Sequence, residues 1–370
     1  MKQKSNLKKL FAISALFVIG GFAGFLFGKF GIPKSTTPIP LSIKVAVFSS
    51  IIPIFFFVIA WHEGGHAIAG IRVGFDFRMY VVGPFMWEKQ NFGWQFKWNK
   101  NVNMAGGLVL CLPKNSENLS TKFSIFAAAG PISSLILAVF AYVGYKYFDT
   151  NSSGINIPKV ILLITAFISL LIFIMTSIPL HVGGFYTDGA RVLRLQKGGE
   201  IARFEILMLK TIAETSSGTR PKMLNTNELE EILVIAKRIN DPFGVYIHGI
   251  LHQAAFDNGE LEKAEKHLQN YINEAENIPD GIRNMVWLDA AFFYAFAKKD
   301  LEKSEYFWAK FKPAPMIPKS QILATEASLS FLKNEPEITH LKIEEALKQI
   351  PNMIDKGMGF ALKEKLDSLK

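Results

Sequence analysis

At 370 residues the chain exceeds one ordinary soluble domain, and 49% hydrophobic residues with a positive mean hydropathy are high for a purely soluble protein. Its formal net charge of +9 is unevenly spread: residues 1–198 carry 19 of the 41 basic side chains but 6 of the 32 acidic ones. A basic, acid-poor part rich in apolar runs, with no basic cluster interleaved with aromatics, points to loops on the cytoplasmic face of a membrane and argues against nucleic acid as a partner. The single Cys111 excludes an internal disulfide and a cysteine-paired metal site, and reads as a buried apolar residue.

In chain order, four apolar segments approach the ~20 residues needed to span a bilayer. They are Leu10–Phe27, Ile43–Ile71, Phe123–Tyr147 and Val160–Leu180. The first follows Lys2, Lys4, Lys8 and Lys9, and it reads as an anchor because no small-x-small cleavage site follows it. Those lysines place the N-terminus in the cytoplasm. Alternation then puts the Arg72–Lys122 connection, and everything after Leu180, on the same side. The connection carries Arg72, Arg78, Lys89, Lys97, Lys100, Lys114 and Lys122, more basic residues than either outer connection holds. Within it, Phe92–Trp98 alternates apolar and polar residues, as a half-buried strand at a membrane interface does. The apolar run Met79–Trp87 is expected to pair with it in a hairpin turning at Lys89–Asn91. Whether that hairpin only anchors the fold or also holds substrate is open at this level.

After Gly199 the pattern changes to amphipathic helices in pairs. Asn258-Gly259-Glu260-Leu261, Lys299-Asp300-Leu301 and Lys333-Asn334-Glu335-Pro336 each close one helix and open the next, and Leu261 and Leu301 are 40 residues apart. This spacing resembles degenerate tetratricopeptide hairpins, with a generic soluble helical bundle as the alternative. The expected fold is an all-α polytopic membrane protein of about four transmembrane helices with a small interfacial β-hairpin, followed by a soluble α-helical hairpin-repeat-like domain. The expected divisions are 1–40, anchor and outer loop; 41–198, membrane core; and 199–370, cytoplasmic helical domain.

The residues that carry chemistry begin with Trp61-His62-Glu63-Gly64-Gly65-His66, a His-Glu-x-x-His pattern at the end of an apolar run. On a helix, four residues advance ~400°, so His62 and His66 share a face and can bind one metal with Glu63 beside them. Imidazole suits zinc, and Glu63 can take a proton from a water acidified by the metal. Three ionisable groups in a membrane helix are expensive unless they serve a function. The third ligand must come from elsewhere, and residues 1–198 offer Glu63, Asp76, Glu88, Glu117, Asp149 and Asp188 as acids. Asp149 falls on the outer side. Asp188 follows the fourth span in Gly183-Gly184-Phe185-Tyr186-Thr187-Asp188-Gly189, where glycines permit a sharp backbone path; its alternative role is a helix N-cap over Ala190–Leu195.

On these motifs the membrane part resembles the site-2 protease family of intramembrane zinc metalloproteases. His62-Glu63-Gly64-Gly65-His66 is similar to the family's first motif and Thr187-Asp188-Gly189 to its Asp-Gly motif. The resemblance implies His62, His66 and Asp188 as Zn2+ ligands and Glu63 as base. Ala129-Gly130-Pro131-Ile132-Ser133-Ser134 resembles the family's central Gly-Pro element, implying Gly130, Pro131 and Ser134 as substrate-binding residues. Ser134 and Thr176 stand where the family commonly has asparagines. The expected function is an intramembrane zinc metalloendopeptidase acting on a membrane-spanning or membrane-associated peptide, in a bacterial cell membrane with both termini cytoplasmic. The alternative is a non-catalytic membrane scaffold. Besides the lipid bilayer, a protein partner on the C-terminal helical domain is expected. His248 and His252 repeat the i, i+4 spacing without a base and read as core or surface residues; His181 is either a hydrogen-bond partner of a ligand or an interfacial residue.

Overall fold

The computed structural model describes residues 40–369 apart from 91–92, 100–105, 116, 148–155, 183–184, 242, 279 and 315–316. Of the described residues, 74% are helical. Three described helices are long and apolar enough to cross a membrane: α1 (Leu41–Arg72), α2 (Leu119–Tyr147) and α3 (Ile157–Ser177). The first expected span, Leu10–Phe27, lies outside the described residues. Leu41, Val45, Phe48 and Ile52 on α1 are exposed, the pattern of a helix whose solvent is hydrocarbon. Helix α3 starts with Pro158 in its first turn and the Asn156 side chain accepting from the Lys159 amide at 3.2 Å. It ends before the expected Leu180 because Pro179 disfavours a helical conformation at Ile178.

The sheet departs from the expected hairpin. It has four antiparallel strands, β1 (Asp76–Val82), β2 (Phe85–Gln90), β3 (Gly93–Trp98) and β4 (Leu108–Leu112), in the order β3-β2-β1-β4. Met79–Trp87 is two strands, not one. Gly83 adopts φ +55°, Pro84 follows, and Val82 pairs back onto Phe85. The expected partner of Phe92–Trp98 is therefore the second half of that run, with Trp87 opposite Phe96, and the turn at 91–92 lies outside the described residues. Strand β4, Leu-Val-Leu-Cys-Leu, is apolar throughout and so shows no alternation. Met79, Val81 and Met86 are buried on one face, whereas Trp87, Trp94, Phe96 and Trp98 are exposed. The chain is thus not all-α.

The described residues form two compact units. One comprises residues 40–58 and Ser134–Ile172, with a core of Ile54, Val58, Leu137 and Ile164. The other comprises Ile59–Ser133 and the chain from Phe173 onward. In the second unit β5 (His181–Val182) pairs with β6 (Phe185–Tyr186), followed by α4 (Asp188–Gln196) and α5 (Gly199–Ser217). Gly198 and Gly199 separate these helices with φ +67° and +63°, a left-handed path open to glycine. Leu195 of α4 and Leu209 of α5 join Phe75, Cys111, Leu119 and Phe123 in one apolar cluster.

Among the described residues eight further α-helices follow: α6 (Thr226–Arg238), α7 (Gly244–Asp257), α8 (Leu261–Asn273), α9 (Asp280–Phe296), α10 (Leu301–Lys310), α11 (Lys319–Leu332), α12 (Pro336–Gln349) and α13 (Lys356–Asp367). Helices α7 and α8, α9 and α10, and α11 and α12 pack as consecutive pairs. Each pair turns at a left-handed residue, namely Gly259 at φ +79°, Lys299 at +54° and Asn334 at +57°. Their largest core gathers Phe256, Leu268, Phe293, Tyr294, Leu323 and Ile343. His252 is fully buried there with Nδ1 2.9 Å from the Ala264 carbonyl, while the buried His248 lies beside His267.

Candidate metal centre

Helix α1 continues unbroken through His62 and His66, so its periodicity alone stacks the two imidazoles, with ring centroids 5.0 Å apart and planes at 82°. His66 Nδ1 lies 2.7 Å from the Phe126 carbonyl of α2. A carbonyl only accepts, so Nδ1 carries the proton and Nε2 keeps its lone pair for a metal. Room for that ring is made by glycine: a Cβ on Gly130 would stand 2.1 Å from His66 Nε2. A Cβ on Gly65 would likewise meet the Ala129 carbonyl at 2.6 Å and Ser133 Oγ at 2.5 Å, so small residues set the close approach of the two helices here. Trp61 Nε1 donates to the Ser133 carbonyl at 2.9 Å, and Ser133 Oγ shares its proton among the Gly130, Trp61 and His62 carbonyls at 2.8, 3.2 and 3.5 Å.

Asp188 arrives by a different route. After α3 ends, Thr187 ties the returning loop to its start: its amide donates to the Leu180 carbonyl at 3.0 Å, and its hydroxyl donates to the Ile178 carbonyl at 2.7 Å. The same hydroxyl accepts from the amides of Leu180 at 3.1 Å and Ala190 at 3.4 Å. Thr187, not Asp188, is therefore the N-cap of α4, and the Asp188 carboxylate is left for other work. A Cβ on Gly189 would fall 1.9 Å from the Ser177 carbonyl, so only glycine lets α4 begin against the end of α3. Asp188 Oδ2 then lies 3.4 Å from Nε2 of both His62 and His66. Gly183, Gly184 and the His181 side chain lie outside the described residues.

The donor atoms of His62, His66 and Asp188 all lie within 4.8 Å of one another, and among the described residues this is the one group able to hold a metal ion. Ligands at the ~2.0–2.1 Å of a tetrahedral zinc site stand about 3.3 Å apart, so the two 3.4 Å separations fit that ion. Two nitrogens and one carboxylate oxygen also match its donor chemistry. Glu63 is 8% exposed and outside this group. Gly107, at φ +102°, brings its backbone so close that a Cβ would sit 2.5 Å from Glu63 Oε1. Tyr80 of β1 donates to the Ala60 carbonyl at 2.5 Å, and burial, helped by the Glu63 charge, pushes its hydroxyl up to about 12.

A model of peptidase family M50 matches residues 50–287. The chain belongs to peptidase family M50, the site-2 protease family. Comparison with curated proteins and with solved structures gave no match. M50 peptidases are zinc metalloproteases, and with its membrane-spanning helices this M50 chain is a membrane protein. The matched region holds both His62-Glu63-Gly64-Gly65-His66 and Asp188, and continues into α9. Of the other expected M50 site residues, Gly130 is buried against His66, as described. Pro131 is buried in α2 and supplies no amide to the Ala127 carbonyl. Ser134 belongs to the other compact unit, is fully buried, and its carbonyl accepts from Ser169 Oγ at 2.7 Å. Sequence reasoning missed the Phe126 carbonyl, Ser133, Tyr80 and Gly107. Backbone acceptors carry no residue signature, and the others act through tertiary approach.

Proposed function

We propose that this M50 chain is an intramembrane zinc metalloendopeptidase in which His62, His66 and Asp188 hold the metal and Glu63 is the general base. The observation that carries this reading is the convergence of three donors from two distant segments within 4.8 Å, with Glu63 adjacent in the chain. A zinc ion held there would acidify water and polarise a substrate carbonyl. Glu63, its carboxylate close beside the Gly107 backbone, takes the proton of the attacking water and returns it to the leaving amine. The Phe126 carbonyl fixes the tautomer of His66, and Gly130 leaves its ring undisturbed. Gly130, Pro131 and Ser134 are proposed to position substrate backbone.

The substrate is a membrane-spanning or membrane-associated peptide, whose carbonyls must leave their i to i−4 hydrogen bonds before attack. An unwound segment could add to β3, an exposed edge strand. Lysine placement supports cytoplasmic termini, with Leu10–Phe27 as a further span, a membrane core over 41–198 and a tetratricopeptide-like helical part over 199–370 that receives a protein partner.

The test uses full-length protein purified in detergent, measuring zinc content together with cleavage of a transmembrane peptide. Glu63→Gln should keep its zinc and lose roughly 10²–10⁴-fold in cleavage rate. Asp188→Asn should lose zinc, an amide being a poorer ligand than a carboxylate. Full zinc occupancy in Asp188→Asn would remove that residue from the ligand set. Undiminished cleavage by Glu63→Gln would end the hydrolytic mechanism and leave the scaffold reading.

A further inference from the structure

Asp188 rides on a short element whose neighbouring side chains are gripped from far along the chain. Tyr186, two residues before it, donates its hydroxyl to Asp241 Oδ2 at 2.8 Å. Arg194, on the same helix as Asp188, donates Nη2 to that same oxygen at 2.6 Å and Nε to Glu205 Oε1 of α5 at 2.5 Å. The guanidinium also lies over the Tyr186 ring, 4.1 Å from its centroid. This is not a surface pair: the side chains of Asp241, Glu205 and Arg194 are 1%, 11% and 15% exposed. Asp241 itself has little freedom. It follows α6 in a turn where Asn240 adopts φ +53°, its amide donates to the Ala236 carbonyl at 2.9 Å, and its Oδ1 accepts from the Phe243 amide at 2.9 Å.

Thr187 and Gly189 fix where α4 begins, but they do not fix its rotation about its own axis. The helix has nine residues and is followed by the left-handed Gly198–Gly199 pair. A roll of α4 would swing the short Asp188 side chain off the histidines, and carboxylate ligation tolerates little displacement. Leu195 holds one face of α4 in its apolar cluster, and Tyr186 before Asp188 and Arg194 after it converge on one fixed oxygen that constrains the roll from the polar side. We propose that Asp241 is a positioning residue of the metal centre, acting through Tyr186 and Arg194 to aim Asp188 at His62 and His66. This rests on the assignment of those three residues as metal ligands. It makes the connection between α6 and α7 a working part of the site.

The experiment compares Asp241→Asn, Tyr186→Phe, Asp188→Asn and the exposed-pair control Glu231→Gln in the full-length chain in detergent. Zinc affinity is measured by competition with a chelator, and hydrogen exchange of the zinc-stripped protein is followed by segment. Asp241→Asn should weaken zinc by about 10-fold or more, Tyr186→Phe in the same direction by less, and Glu231→Gln not at all. In the stripped protein, Asp241→Asn should speed exchange within 190–195 while leaving α8 and α12 unchanged; a general loss of stability would move all three. Wild-type zinc affinity in Asp241→Asn, with Asp188→Asn depleted, overturns the positioning role and leaves the ligand assignment standing. Zinc retained by Asp188→Asn sinks both together. Should Asp241→Asn fail to fold, Tyr186→Phe decides, since it removes a single hydroxyl: unchanged affinity there overturns the proposal.

Discussion

The two histidines and the aspartate of the candidate centre meet at one point by opposite means. His62 and His66 are placed by the 3.6-residue period of α1, and tertiary structure adds the Phe126 carbonyl and room for a ring beside Gly130. Asp188 owes its place to a chain reversal pinned by Thr187, a glycine pressed on the Ser177 carbonyl, and a buried charge network ending at Asp241. The lesson concerns vulnerability. Substitutions that leave α1 helical preserve the spacing of the histidine pair, whereas the aspartate can be lost through residues far from it.

The contrast is broken most severely at Gly189. Gly189→Ala would put a Cβ 1.9 Å from backbone, which cannot rotate away as a side chain can, so the start of α4 must move. The expected loss is at or beyond the upper end of the ~1–3 kcal/mol typical of overpacking, with zinc affinity down roughly 10–100-fold. Thermal melts and chelator competition check this, and wild-type values in both would show that α4 is not wedged against α3 as described.

A smaller effect sharpens the other side, within the motif itself. Gly65→Ala meets Ala129 and Ser133 and should lower stability by about 1–3 kcal/mol by prying α1 from α2. Gly64→Ala, one residue earlier, has Tyr80 Oη as its nearest neighbour at 3.9 Å and should be neutral or gain up to about 1 kcal/mol of helix propensity. Equal melting temperatures for the two variants would contradict this packing.

The least effect on the centre is expected from Asp289, which bounds how far its dependence on the helical part reaches. This buried carboxyl accepts from Gln253 at 2.9 Å and Gln321 at 2.5 Å, and burial pushes it up to about 7 despite those bonds. A carboxyl raised in the folded state contributes stability below its unfolded pKa near 4, and that contribution is lost as pH rises through about 7. Asp289→Asn mimics the protonated form, so its melting temperature should exceed wild type by a margin that widens from pH 5 to 7 and is level above. Zinc affinity should not change. A margin independent of pH would mean that Asp289 does not titrate in this range.

Much of the molecule could be read from residue order. The apolar runs announced three of the helices, Asn258-Gly259, Lys299 and Asn334 marked helix junctions, and His62, Glu63 and His66 stood out because charge inside an apolar run has few structural uses. The sheet was less legible. Met79–Trp87 reads as one strand, but Gly83 and Pro84 fold it on itself, and β4 is apolar throughout and carries no alternation.

By itself, then, the sequence determined what depends on nearby residues: where helices start and stop, which segments suit hydrocarbon, and that two imidazoles one turn apart share a face. Only the tertiary structure decided what depends on distant residues meeting. It made Thr187 the cap and freed Asp188, pressed Gly130 against His66 and Gly189 against Ser177, and brought Asp241 to Tyr186 and Arg194. The physical reason is range: helical period and hydropathy act over a few residues, while steric fit and buried hydrogen bonds act wherever folding brings two groups into contact.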